Sequence, residues 1–294
     1  MNIIVCIKQV PGAAKVEIDP VTGVMKRDTA EAKLNPYDLY AVEEALKLSE
    51  AVGGGVTALS MGPPQAREAL SEALYMGADQ AVLLSDRGFA GSDVLATAYA
   101  LSQAAEMLGF DIIICGKQTT DGDTAQVGAE LAEFLGIPHA ANVLTIHAVD
   151  GSDAGAAGTN GRAVAGVVGT GGIGVSELQT LPEGRGLIIT VGQENRILTQ
   201  YIPTPCLLCV DGGVNTPRLP SYKRKRALDA GAVRILSLAD MGDKNDKNYG
   251  LNGSPTQVER TYTPDDSVNR EIITGGGDHI AASLAKILGD MKYI

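Results

Sequence analysis

From Met1 to about residue 138, short apolar runs alternate with stretches whose apolar positions recur every three or four residues. The runs IIVCIKQV (3–10), VTALSMG (56–62), QAVLLS (80–85) and IIIC (112–115) are too short to span a membrane as helices. They are rich in β-branched residues, as strands covered on both faces are, and read as strands. Between them lie helical faces. Leu39, Val42, Ala45 and Leu46 form the first, opposite Glu43, Glu44, Lys47 and Glu50. A second helix follows Pro63-Pro64 and runs to Met76, and a third carries Val94, Ala98, Leu101, Ala105 and Leu108. Val127, Leu131, Phe134 and Leu135 mark the fourth. Asn35 is expected to cap the first helix with Pro36 at its first position, and Ser92 to cap the third. Asp123 and Gln126 have capping-box spacing for the fourth. Strands alternating with single helices predict an α/β fold, a doubly wound parallel sheet with right-handed crossovers.

In such a sheet, ligands sit beyond the carboxyl ends of the strands, where strand order reverses. Cys6 to Lys8, Met61-Gly62-Pro63 and Gly116 to Thr124 reach that edge, and Asn35 to Asp38 complete a ring able to surround one nucleotide. The stretch DIIICGKQTTDGDTAQVGAELAEFLGIP (111–138) organises the rest: strand, glycine-bearing turn and helix in immediate succession. Gly116 and Gly122 allow close backbone approach, and a helix start offers unpaired N–H groups to a phosphate. Asp121 and Asp123 would repel a bare phosphate. They are expected to turn away as caps or to meet ribose hydroxyls, leaving Lys117, Thr124 and the backbone amides for the phosphates.

Beyond residue 138 the pattern weakens. LIITV (187–191) and CLLCV (206–210) read as late strands. The GxGxxG at 169–174 leaves too few residues before Pro182 for a crossover helix, so a hairpin is expected there. Lys223 to Arg226 form a basic cluster that is either solvated charge or a docking patch. Residues 227–294 carry many turn residues and a last helix at about 278–291, so the chain divides into a nucleotide-binding domain, 1–226, and a C-terminal arm, 227–294, expected to lie on a partner subunit.

The chain has 294 residues, 24 basic and 35 acidic, and its net charge of −11 argues against nucleic acid or an anionic membrane surface. No run approaches about 18 apolar residues, and MNIIVCIKQV has no signal-peptide pattern; a soluble, cytoplasmic protein is expected. Four cysteines make no disulfide framework, and the CxxC of Cys206 and Cys209 lacks a second pair. The three histidines have no metal-ligand spacing. With no tryptophan, a flavin or purine would be held by backbone and aliphatic walls more than by stacking. There is no Walker A run.

Six motifs in order, VCIKQVP (5–11), NPYD (35–38), SMGPP (60–64), MGAD (76–79), GKQTTDGDTAQVG (116–128) and GSPTQV (253–258), together resemble the β subunit of electron transfer flavoproteins. The resemblance implies an adenine-nucleotide α-hydrolase-like sheet with an extended C-terminal arm, paired with an α subunit carrying one FAD. It places nucleotide contacts at Cys6, Asn35, Pro36, Tyr37, Asp38 and Met61. It continues them through Gly116, Lys117, Gln118, Thr119, Thr120, Asp121, Gly122, Asp123, Thr124, Ala125, Gln126 and Val127. The β-subunit nucleotide is AMP in housekeeping members and a second FAD in electron-bifurcating ones; DGDTAQVG and GSPTQV resemble the latter. That group takes electrons from NADH and divides them between ferredoxin or flavodoxin and an acyl-CoA-type dehydrogenase. No catalytic acid or base is implied. The dehydrogenase-docking loop maps to about Arg196 to Pro220, with Val214 as its apolar anchor. Two readings from other classes stand beside this one: an enzyme adenylating or cleaving a nucleotide on the same sheet type, against which the chain lacks an SGGxDS loop, and a nucleotide-sensing module without redox function.

Overall fold

The computed structural model describes residues 1–12, 32–149, 185–229, 231–259 and 272–293. The described residues up to Glu259 form one compact unit, and 272–293 belong to a second. The first unit is built on strand β1 (Asn2–Cys6), the short antiparallel pair β2 (Gln9–Pro11) and β3 (Ala32–Leu34), and helix α1 (Pro36–Val52). Then come β4 (Gly55–Met61), α2 (Arg67–Met76), β5 (Gln80–Leu84), α3 (Val94–Leu108), β6 (Ile112–Gly116) and α4 (Val127–Leu135). The remainder is β7 (His139–Val149), β8 (Gly186–Gln193), β9 (Arg196–Pro203), β10 (Cys206–Val210), α5 (Tyr222–Ala227) and β11 (Val233–Leu236). Helix α6 (Gly277–Asp290) belongs to the second unit.

The main sheet has the order β11-β5-β4-β1-β6-β10-β7-β8-β9. Strands β11 through β7 are parallel, and β8 and β9 extend that edge antiparallel. The chain moves outward from β1 to β4 and β5, and then α3 returns it to β6 on the opposite side of β1. The order therefore reverses between β1 and β6, the place where a doubly wound sheet opens a crevice. Alternate residues feed two cores. Ile3, Val5, Ile112, Ile114 and Leu208 pack under α1 and α2, and Ile4, Ile113, Leu207 and Cys209 under α3 and α4. This two-sided burial is why the strands read as unbroken apolar runs.

The structure departs from the sequence reading in four places. Strands β7 and β9 carry mixed polar sequence: β7 is where the parallel sheet meets the antiparallel extension, and β9 is the outermost strand of that extension. Four-residue β11 joins β5, and Tyr249, 1 % exposed, packs edge-on against Phe89, so residues 227–229 and 231–259 lie with the sheet. Asp93, not Ser92, caps α3: its carboxylate accepts from Ala96 N at 3.0 Å, while the Ser92 hydroxyl donates back to Phe89 O. Helix α4 starts at Val127 after Gln126 with no side-chain cap, and Asp123 sits in a left-handed turn, donating its N–H to Thr119 O. The GxGxxG lies outside the described residues. No helix among the described residues is long and apolar enough to cross a membrane.

Candidate functional site

Two loops leave the sheet at the reversal, one from β1 and one from β6, and the start of α1 is stitched to both. Asn35, fully buried, makes no local cap bond; its amide instead donates to Gln118 O at 2.9 Å and accepts from Thr120 N at 3.3 Å. Its own N–H donates to Lys8 O at 2.9 Å. Asp38, in the first turn of α1, accepts from Lys8 N at 2.7 Å and from the main chain of Gly116, with Asn35 as a third donor. Burial pushes its carboxyl up to about 7 against the pull of these donors and of the Lys8 ammonium. Gly116 is required by this approach. A Cβ there would overlap the Asp38 carboxylate and stand 2.7 Å from the Tyr37 carbonyl carbon.

The opposite side is built differently. Thr120 through Gln126 are exposed, and Asp123 and Ala125 adopt left-handed φ values of 52° and 54°. The N–H groups of Thr124 to Val127 meet no protein acceptor among the described residues, so a run of donors and the positive end of α4 are left for solvent or a ligand. Lys8 Nζ holds both oxygens of Asp121 at 2.8 Å. Burial raises the Asp121 carboxyl, but the ammonium outweighs it and keeps the acid below its ordinary range. This pair removes the repulsion that Asp121 would offer a phosphate. Lys117, expected to face the phosphates, is turned away: its ammonium meets Asp211 at 3.1 Å.

The floor carries three thiols in register, Cys6, Cys115 and Cys209, on the neighbouring strands β1, β6 and β10, all against the α4 side. They are free, and the hydrogen bond that Cys209 donates to Cys115, with burial, holds the Cys209 thiol well above its usual range. A protonated buried thiol is a packing group, not a nucleophile. Small sulfur side chains let α4 settle low, where a Cβ on Gly128 would overlap Cys209 Sγ. Cys206 faces the other core, since three residues along a strand reverse the face; the CxxC is no redox pair. Met61 ends β4 beside this second core, and the buried Ser60 hydroxyl next to it finds no partner among the described residues.

All the residues expected at the nucleotide thus line one edge, from Cys6 and Asn35–Asp38 through Met61 to Gly116–Val127. Sequence reasoning missed the role of Lys8 as the partner of Asp121, a pairing across 113 positions; the only local trace is its place in the VCIKQVP run. The expected anchor Val214 is half-buried against the α1 core. Asn215 and Arg218 strap that segment to α1: Asn215 donates to Tyr40 O and Glu44, and Arg218 forks onto Glu43 at 2.8 Å and Glu50 at 2.6 Å. The outward apolar side chains are Leu219, 88 % exposed, and Tyr222, 73 % exposed, beside the basic helix α5.

A parallel sheet with its reversal point between β1 and β6, fringed by main-chain donors, defines a doubly wound α/β domain of the nucleotide-holding class. Residues 22–170 match the electron transfer flavoprotein domain. The chain is 40 % identical to "Electron transfer flavoprotein subunit beta" of Thermoanaerobacterium thermosaccharolyticum, over 100 % of both chains. It is 38 % identical to the protein of that name from Clostridium acetobutylicum, again over 100 % of both. It is 40 % identical to "Protein FixA" of Azorhizobium caulinodans over 90 % of this chain and 85 % of that one. The chain belongs to the electron transfer flavoprotein family, among its β subunits. Members of that family carry electrons, associate with flavin or nucleotide, and pair through the β subunit with an α subunit.

Proposed function

We propose that this chain holds FAD at the crevice between β1 and β6 and, paired with an α subunit, takes electrons from NADH. By flavin-based bifurcation it divides them between ferredoxin or flavodoxin and an acyl-CoA-type dehydrogenase. The observation that carries the reading is the run of N–H groups at Thr124–Val127 that find no acceptor among the described residues, ahead of an uncapped α4 and beside an Asp121 already neutralised by Lys8. A diphosphate fits that donor set; a bare cation does not. The chain's residues bind and orient. Asn35 and Asp38 fix the two loops, Met61 and Cys6 offer apolar walls, and the exposed loop adapts to the ligand. When bound, the flavin supplies the one- and two-electron chemistry. The arm reading applies to the residues after Glu259, and Leu219 replaces Val214 as the apolar side chain offered to a dehydrogenase. GSPTQV is held at the same edge of the sheet: Ser254 Oγ accepts from Asp93 N at 2.8 Å, and Thr256 bonds the Asp93 carboxylate.

The test is chemical. Heterodimer purified with its α subunit, denatured and analysed for released nucleotide, should yield about two FAD per dimer. One FAD with one AMP assigns the housekeeping role instead, and no adenine nucleotide at all overturns the site.

A further inference from the structure

The end of β1, the start of α1 and the end of β6 converge on one buried carboxylate, and the number of donors aimed at it is informative. Asp38 is 4 % exposed and accepts from Lys8 N, from the Gly116 main chain and from the Asn35 side chain. Three donors around two oxygens suit a carboxylate. A protonated acid brings a hydrogen of its own, and among these partners it finds only donors, so one must be displaced. Lys8 and Gly116 are the residues from which the two loops of the crevice depart. We propose that Asp38 is a positioning residue which, in its ionised form alone, clasps the β1 and β6 loops at the separation the adenine nucleotide needs, so that nucleotide retention is coupled to a proton. This deepens the function proposed above and rests on it for the ligand.

The surroundings set where the coupling falls. Burial lifts the Asp38 carboxyl to about 7, inside the range where cells operate. Among the described residues the cation acting on it is Lys8, whose charge is shared with Asp121. From β6 and β10 it is faced by the thiols of Cys115 and Cys209, both protonated, with Asp38 acting on each of them. Lys117 at the mouth is engaged by Asp211. Among the described residues, therefore, no second free cation holds the clasp ionised through mildly acid conditions. If only the ionised form binds, the apparent affinity follows the ionised fraction, which changes roughly tenfold between about pH 6 and about pH 8.

The heterodimer stripped of its β-subunit nucleotide is titrated with FAD across that range, FAD being chosen because its diphosphate does not change charge there. Wild type should bind roughly tenfold more tightly at the alkaline end, and Asp38→Asn should bind weakly with a flat profile. Lys8→Met, which removes the cation, should move the midpoint upward. AMP serves as the second probe; its own phosphate titrates in this window, so the difference between wild type and Asp38→Asn is read. Hydrogen exchange at Lys8 and Gly116, corrected for intrinsic rate, follows the clasp without any nucleotide. Protection should fall below about pH 7 in wild type and stay low throughout in Asp38→Asn. Binding with an unchanged pH profile in Asp38→Asn overturns the clasp and leaves the function standing. Protection that follows the expected course while neither nucleotide binds overturns the function and leaves the clasp.

Discussion

The two sides of the crevice are made of the same kinds of residue put to opposite use. On the α1 side, Asn35 and Asp38 are buried and spend their polar atoms on neighbouring main chain and on each other. On the α4 side, Thr120 to Gln126 lie in solvent, two residues hold left-handed backbone, and the donors point outward. One side is framework and the other is reach. A buried polar group with all its partners fixes geometry; an exposed loop with spare donors takes its final form from what it holds.

The comparison breaks most sharply at Asn35. Asn35→Ala leaves Gln118 O and Thr120 N without their partner and removes a donor from Asp38; about 3 kcal/mol of stability should go, with the bound nucleotide. Urea unfolding and nucleotide stoichiometry check both, and a variant that keeps stoichiometric nucleotide makes the framework assignment wrong.

Asp38 gives the next effect, of opposite sign to most acids. Its carboxyl is raised in the folded chain, so between about pH 4 and 7 the folded state binds more protons than the unfolded state. Stability from this group is full at the acid end and declines by on the order of 4 kcal/mol as pH rises to about 7. Asp93 runs the other way: burial raises it, but the Thr256 hydroxyl and main-chain donors outweigh that and lower it, so its contribution is lost below about pH 4. Denaturant midpoints across pH, with Asp38→Asn flattening the neutral limb, separate the two.

A smaller effect tests the floor. Gly128→Ala should cost about 1–2 kcal/mol by lifting α4 off Cys209, and adding Cys209→Ala should recover most of it. If the double variant is no better than the single, α4 is not seated on that thiol. The smallest change sharpens the exposed side. Ala125→Gly relieves left-handed backbone but frees the unfolded chain, so stability should move by less than about 1 kcal/mol while nucleotide affinity weakens measurably in a titration.

How much of this was legible follows from where the information sits. The parallel strands announce themselves because burial on both faces forbids polar residues, and Pro36, Gly77, Gly109 and Gly136 mark helix ends where backbone geometry demands them. In the antiparallel extension buried β8 was legible as LIITV, but β9 was not, since most of its residues lie partly or fully in solvent and look like any polar stretch. Asp93 and Ser92 are both good caps, and only three-dimensional packing chooses between them. Within the site, the main-chain loop was readable from glycines and a helix start. The pairing of Lys8 with Asp121 and the diversion of Lys117 to Asp211 were not, because charge partners drawn from distant segments leave no spacing to read.

Arg218 and Asn215 fasten the chain ahead of Leu219 along the flank of α1, a rod about 25 Å long by its residue count. Its near tip carries Asn35. Leu219 is therefore tethered toward the Glu50 end of the same rod whose other end carries Asn35, the residue that ties down the loop at Gln118 and Thr120.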